Sequence, residues 1–121
     1  MIVDRRLSGE FSIAARVNLA RVTFLFDTGA SMVVLTATDA RRAGVNVAGL
    51  VYDVPVTTAN GAALAAEARL DQIAVGPILM RNVPALVARP GALEQSLLGM
   101  SFLERLKSYT VERGRLILTA K

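Results

Sequence analysis

The sequence predicts an all-β domain with one or two short helices. Apolar and polar residues partly alternate over residues 10–18, and a period of two is typical of a strand with one buried face. An Asn60-Gly61 pair separates two strand-like segments, and this dipeptide is a strong hairpin signal. Helix signals occur only near residues 39–43 and 100–106. Strands joined by tight turns therefore account for most of the chain.

The first predicted elements are a hairpin and the strand that follows it. Asn18-Leu19-Ala20 is the turn of the hairpin, and residues 21–26 form its second strand. This strand is more continuously apolar than the first, so we expect it to be more deeply buried. Residues 32–35 predict another short strand.

A short helix is predicted next. Thr36 or Thr38 can cap a helix through residues 39–43, and Gly44 can end it in the left-handed conformation. Strands over residues 51–58 and 62–73 then predict a long, projecting hairpin. The later elements are a strand or two over 78–87, a loop at 89–92, the helix at 100–106, and strands at 109–111 and 116–118.

Length and composition fit one packed domain. The chain has 121 residues, of which 53% are hydrophobic and 20% charged, and domains most often contain about 100 to 150 residues. We expect a single domain over residues 1–121 with its core at about 10–120. The apolar runs are far shorter than the roughly 20 residues that a membrane-spanning helix needs.

The chain contains neither cysteine nor histidine. Their absence excludes disulfides, thiolate nucleophiles, a serine–histidine relay and the commonest metal ligands. Acid–base chemistry is therefore left to aspartate and glutamate, and we expect no metal and no organic cofactor. The basic residues are scattered and aromatic residues make up only 5% of the chain, so we expect no nucleic-acid binding.

Asp27 is the carboxylate in the most unusual position. It directly follows the apolar strand 22–26 and precedes Thr28-Gly29-Ala30-Ser31. An ionisable group at the end of a core strand is costly unless it is hydrogen-bonded, paired or neutralised. Asp27 can simply cap a turn, because Asp-Thr-Gly is ordinary turn chemistry, or it can be a catalytic group. The tripeptide alone does not decide between the two.

Three motifs in order make the chain similar to the retropepsins, and more closely to their bacterial single-domain relatives. They are Phe24-Leu25-Phe26-Asp27-Thr28-Gly29-Ala30-Ser31, the stretch of residues 56–61, and Leu97-Leu98-Gly99 at the entry to a helix. The resemblance implies a closed β-barrel of the acid protease fold, as one subunit of a homodimer. It also implies an aspartic endopeptidase acting on extended polypeptides, with one catalytic aspartate from each subunit.

The resemblance assigns roles to the Asp27-Thr28-Gly29 loop. Two Asp27 carboxylates would hold one water and share one proton, as aspartic proteases do. The Thr28 hydroxyl would reach across the dimer, although it could equally make a local turn bond. Gly29 would let the two loops approach closely. Pepsin-like enzymes tend to have Ser or Thr where Ala30 lies, so its lack of a hydroxyl implies activity nearer mild acid or neutral pH.

The remaining site residues implied by the resemblance bind substrate. Thr58, Ala59, Asn60 and Gly61 correspond to the flap, or else form an ordinary exposed hairpin. Leu97 and Leu98 correspond to pocket-lining residues, or else belong to a plain core strand. Ala30 would also contact substrate.

The resemblance further implies a periplasmic location. It implies no membrane contact by the domain itself, since any anchor would lie outside this chain. The C-terminal hairpin would pair with its copy in the second subunit. A catalytically silent dimerisation or peptide-binding module of the same fold is the alternative.

Overall fold

The computed structural model describes residues 1–5, 9–58 and 61–121. In these residues the chain forms ten strands, two short α-helices and one 3-10 turn. The strands are β1 (Ile2–Asp4), β2 (Ser12–Val17), β3 (Ala20–Phe26), β4 (Val33–Leu35), β5 (Val54–Thr58), β6 (Gly61–Val75), β7 (Ile78–Ala88), β8 (Ser96–Leu98), β9 (Ser108–Glu112) and β10 (Arg115–Thr119). The helices are α1 (Ala37–Arg42) and α2 (Met100–Leu103), and the 3-10 turn is Val47–Gly49.

Six strands close into a barrel. They follow the order β2-β3-β8-β4-β7-β6, and β6 pairs back onto β2. The closing contact is short and antiparallel, with Arg16 opposite Ala74 and Val17 opposite Ile73. Closure leaves these six strands without long open edges. The closed barrel predicted from the family resemblance is therefore confirmed, as are the two short helices.

β8 is inserted between β3 and β4, although it comes late in the sequence. It runs parallel to β3 and antiparallel to β4, and β4 in turn runs parallel to β7. Such non-local pairing cannot be inferred from the alternation of residues along one strand. It brings the end of β3, which leads into Asp27, beside the Leu97-Leu98-Gly99 segment.

The interior of the barrel is filled by side chains whose burial the period of two predicts. On β2, the buried side chains are Ile13, Ala15 and Val17, each separated by an exposed residue. Phe24 of β3 and Leu98 of β8 are fully buried in the same cluster. Phe102 and Leu103 of α2 are buried there as well, so this helix packs its apolar side onto the barrel.

Helix α1 has two of the predicted flanking residues, Thr36 and Gly44, although it spans Ala37–Arg42 rather than residues 39–43. The Thr36 hydroxyl caps it by accepting a hydrogen bond from the Asp39 N–H at 3.1 Å. Gly44 follows it with a φ of +87°, the left-handed conformation that glycine adopts readily.

The predicted hairpin of residues 51–58 and 62–73 is shifted in the structure. β5 is a strand only where it pairs with β6, from Val54 opposite Ala65 to Thr58 opposite Gly61. Residues 51–53 have no strand partner among the described residues and are irregular. β6 continues to Val75 because β7 pairs with it along that length.

The chain ends form a separate three-stranded sheet that the sequence did not predict in full. Its order is β1-β10-β9, and β1 is too short to give a periodic signal of its own. Both edges of β10 are occupied within the described chain, so the expected pairing of the C-terminal hairpin with a second subunit would have to use β9, and that pairing stays a prediction. Within the described chain, β9 has a strand on one side only.

No helix in the described residues is long and apolar enough to cross a membrane.

Candidate active site

Asp27 continues the pairing of β3 with β8 beyond the end of the strand. Leu25 lies opposite Leu97 and Phe26 opposite Leu98. The Asp27 N–H then donates to the Leu98 carbonyl at 3.2 Å. The backbone of Asp27 is therefore held by β8, while its side chain is half-buried at the barrel surface.

The carboxylate of Asp27 is oriented by its own loop. Oδ1 of the carboxylate accepts a hydrogen bond from the Gly29 N–H at 2.9 Å. The backbone carbonyl of Asp27 accepts one from the Ala30 N–H at 3.3 Å. Among the described residues, the bond from the Gly29 N–H is the only hydrogen bond to the carboxylate. Thr28 and Gly29 are exposed beside it. The local hydrogen bond expected of a turn-capping Asp27 is thus present.

Gly99 passes against the backbone of the loop that contains Asp27. A Cβ at this position would lie 2.1 Å from the Met32 carbonyl oxygen and 2.7 Å from that of Ala30. The next residue, Met100, donates its N–H to the Ala30 carbonyl at 2.8 Å. A close backbone crossing of this kind has no room for a side chain. The close crossing at Gly99 therefore holds the backbone of the loop that contains Asp27 in place.

The two leucines before Gly99 face opposite sides of β8. Leu98 is fully buried in the core cluster, so its side chain packs inside the barrel and only its carbonyl serves the site. Leu97 is half-exposed on the outer side. Of the two residues predicted to line a substrate pocket, only Leu97 has its side chain on the outer face of the barrel.

Leu97 belongs to an apolar row that the sequence reasoning missed. Leu25 lies opposite it on β3 and Val34 opposite it on β4. Paired residues of neighbouring strands share a face of the sheet, and Asp27 shares that face because it is two residues after Leu25. Leu25 could have been found from this period of two. Val34 could not, because its position depends on the β4–β8 pairing.

Two buried serines hold the strands under the site. Ser101 Oγ accepts from the Val33 N–H at 2.8 Å and donates to the Pro84 carbonyl at 2.7 Å, which ties α2 to β4 and β7. Ser96 Oγ donates to Asp39 Oδ2 at 2.7 Å and accepts from the Thr36 N–H at 3.0 Å. Their partners lie far away in the sequence, in β4, β7, helix α1 and its N-cap, so no local sequence pattern indicated these roles.

Aromatic contacts link the terminal sheet to β3, the strand that leads into Asp27. The Phe26 ring meets that of Tyr109 on β9 edge-on, with centroids 5.9 Å apart, and that of Phe11 at 6.2 Å. The Tyr109 hydroxyl also lies 3.7 Å from the Met100 sulfur. Since Phe26 immediately precedes Asp27, the terminal sheet packs directly against the base of the site.

The hairpin predicted as a flap is formed by β5 and β6. Thr58 pairs with Gly61 at its end, and Gly61 has a φ of +109°. Ala59 and Asn60 lie outside the described residues. Tyr52 precedes β5 and therefore does not lie at the tip of the hairpin. The centroid of its ring is 5.0 Å from the guanidinium carbon of Arg89.

The described residues contain no cluster of three or more acidic side chains that could hold a metal ion. Two surface depressions lie away from Asp27. One is on the outer face of the terminal sheet around Ile2 and Ile117, and the other is beside the β2–β3 hairpin around Arg16 and Arg21.

A closed barrel with an Asp-Thr-Gly loop beside an inserted strand defines the retropepsin class of aspartic proteases. The family described as gag-polyprotein putative aspartyl protease matches residues 13–105. The chain belongs to this family of retropepsin-like aspartic proteases.

Known proteins similar to the chain agree with this assignment. A crystal structure of a retropepsin-like aspartic protease from Rickettsia conorii is 38% identical, with a TM-score of 0.89 over 99% of this chain and 89% of that one. The protease of EIAV, solved with the inhibitor HBY-793, is 19% identical and has a TM-score of 0.66 over 82% of this chain and 89% of that one. The latter likeness shows the fold alone.

An uncharacterised protein encoded in the cobV 5' region of Sinorhizobium sp. is 43% identical over 98% of this chain and 51% of its own length. The chain spans about half the length of the curated relatives it matches.

Proposed function

We propose that the chain is an aspartic endopeptidase whose active site is assembled from two copies, each contributing Asp27. The observation that carries the proposal is the Asp27 carboxylate, held at the barrel surface by the Gly29 N–H next to exposed Thr28. The chain has one Asp-Thr-Gly, whereas the chemistry needs two carboxylates. A two-fold axis between two Asp27 residues supplies the second.

The proposed reaction needs only the two carboxyl groups and one water. One Asp27 carboxylate takes a proton from the water as its oxygen attacks the scissile carbonyl carbon, and the other, protonated, donates to the carbonyl oxygen. The tetrahedral diol then collapses: the carboxyl group that took the water proton gives it to the amide nitrogen, the C–N bond breaks, and the other carboxylate takes a proton from a diol hydroxyl. The products are a carboxylic acid and an amine, and the pair again holds one proton.

The proposed substrate is an extended polypeptide with apolar side chains at the cut. Leu25, Leu97 and Val34 form an apolar surface on the same side as Asp27. The β5–β6 hairpin would close over the peptide and exclude water. Thr58, Ala59, Asn60 and Gly61 of this hairpin, together with Ala30, remain the predicted substrate contacts.

The terminal sheet is the proposed site of dimer contact. It packs on the catalytic strand through Phe26 and Tyr109, so a partner docked there would lie close to Asp27. The free edge of β9 can accept a strand from the second copy. Val111, which is 49% exposed on this edge, would be covered.

The proposal is tested by peptide cleavage with the wild type and with Asp27→Asn over a range of protein concentrations. We expect cleavage that rises faster than linearly with concentration at the low end and is lost in the variant, with an unchanged melting temperature. If neither protein cuts at concentrations where sedimentation shows a dimer, the catalytically silent module is the better account.

A further inference from the structure

The apolar row beside Asp27 ends on a charged residue. From Leu25, Leu97 and Val34 the row continues to Leu86 on β7, and Leu86 lies opposite Glu67 on β6. Paired residues share one face of a sheet. Leu25, Leu97, Val34, Leu86 and Glu67 therefore lie on the outer face of five consecutive barrel strands.

Glu67 is an exposed carboxylate at the end of this apolar row. The neighbouring Leu86 is only 5% exposed, although it is not part of the hydrophobic core inside the barrel. In the described part of the chain, Asp39 and Asp4 form ion pairs with arginines, but Glu67 forms none. Arg69 is the nearest charge along β6 on the same face, two residues away, opposite Pro84. The carboxylate of Glu67 is thus open to a cation from outside.

We propose that Glu67 selects a basic side chain of the substrate a few residues away from the cut, an inference that rests on the proposed function. Four strand spacings separate Leu25 from Glu67, which is about 19 Å along the curved sheet. An extended peptide covers this span with at most about six residues, at roughly 3.3 Å per residue. Curvature shortens the direct path, so the basic residue belongs about three to five positions from the scissile bond.

The two-fold symmetry of the proposed dimer gives this preference a second consequence. Each subunit presents its own Glu67 at the same distance from the shared catalytic pair. A lysine or arginine should therefore favour cleavage on either side of the cut, with apolar residues between the two. A single site on one subunit would act on one side only.

The test measures kcat/KM for matched peptides that have Lys, Gln or Glu at positions three to five from one cut site. With the wild type we expect the best Lys peptide to exceed its Glu counterpart by about five-fold, as suits an exposed ion pair. Glu67→Gln should reduce this ratio to within about two-fold, and Glu67→Lys should reverse it. The effect should appear mostly in KM and weaken in high salt. Glu104→Gln, which removes an exposed carboxylate after α2, is the matched control and should leave the ratio unchanged.

The outcomes separate this inference from the function on which it rests. If the wild type cuts the apolar core sequence but the Lys/Glu ratio is near one, or if Glu67→Gln keeps the ratio, the role of Glu67 is wrong and the protease stands. If no peptide is cut by a dimeric wild type, the proposed function fails with it. If Glu104→Gln changes the ratio as much as Glu67→Gln, general charge rather than Glu67 determines the preference.

Discussion

Asp27 depends on backbone atoms rather than on other side chains for its position. The Leu98 carbonyl holds its N–H, and the Gly29 N–H holds its carboxylate. Backbone donors stay in place when surface side chains change, so the geometry of the Asp27 loop depends on residues that let backbone segments approach closely. Gly99 is the most restrictive of these, since any side chain would collide with carbonyl oxygens of Ala30 and Met32.

Gly99→Ala should therefore destabilise the protein by about 3 kcal/mol or more, because the obstructing atoms are backbone and cannot rotate away. Denaturant unfolding measures the loss. Gly49→Ala is the control, since its Cβ would meet only the end of the Asn46 side chain, at 3.0 Å, and should cost much less. Equal and small losses for both variants would contradict the close crossing at Gly99.

At the scale of elements, local patterns were enough to predict most strands but not their partners. The alternation over residues 10–18 predicted β2, and Thr36 and Gly44 bounded α1 as expected. The insertion of β8 between β3 and β4, and the pairing of β1 with β10, join segments far apart in sequence. Those contacts are chosen by packing of whole faces, which the residues of one strand do not encode.

The same limit explains which site residues were found. Asp27 was singled out because it follows an apolar strand, a local signal. Val34, Leu86 and Glu67 are aligned with Leu25 and Leu97 through cross-strand pairing, so nothing near them in sequence indicated the roles proposed for them. The opposite facing of Leu97 and Leu98 follows from the period of two and was available from the sequence.

The free edge of β9 gives a prediction about association. Val111→Lys places a new charge at this edge in both copies, and like charges across a two-fold interface should weaken dimerisation about ten-fold or more. Sedimentation velocity over a concentration series measures the change. Leu79→Lys on β7 is a matched control, because Leu79 is also 49% exposed and should not affect association. Dimerisation that resists Val111→Lys would place the interface elsewhere.

At the scale of the whole molecule, one barrel would provide half of the proposed active site. The fold and the family model show that the chain belongs to the retropepsin-like aspartic protease family, and the positions of Asp27, Thr28 and the terminal sheet support the proposed assembly with a second copy. The periplasmic location and the optimum near mild acid or neutral pH stay predictions from the family resemblance. If activity requires two chains, the specific activity must rise with protein concentration until all chains are dimeric.

Subunit mixing tests the shared active site most directly. Wild type is mixed with an equal amount of Asp27→Asn, and the dimers are allowed to exchange before cleavage is measured. Random exchange leaves about a quarter of the dimers with two Asp27 residues, so activity per wild-type chain should fall to about half. If activity per wild-type chain stays unchanged although sedimentation and labelled subunits show exchange, each chain works alone and the shared pair of Asp27 residues is contradicted.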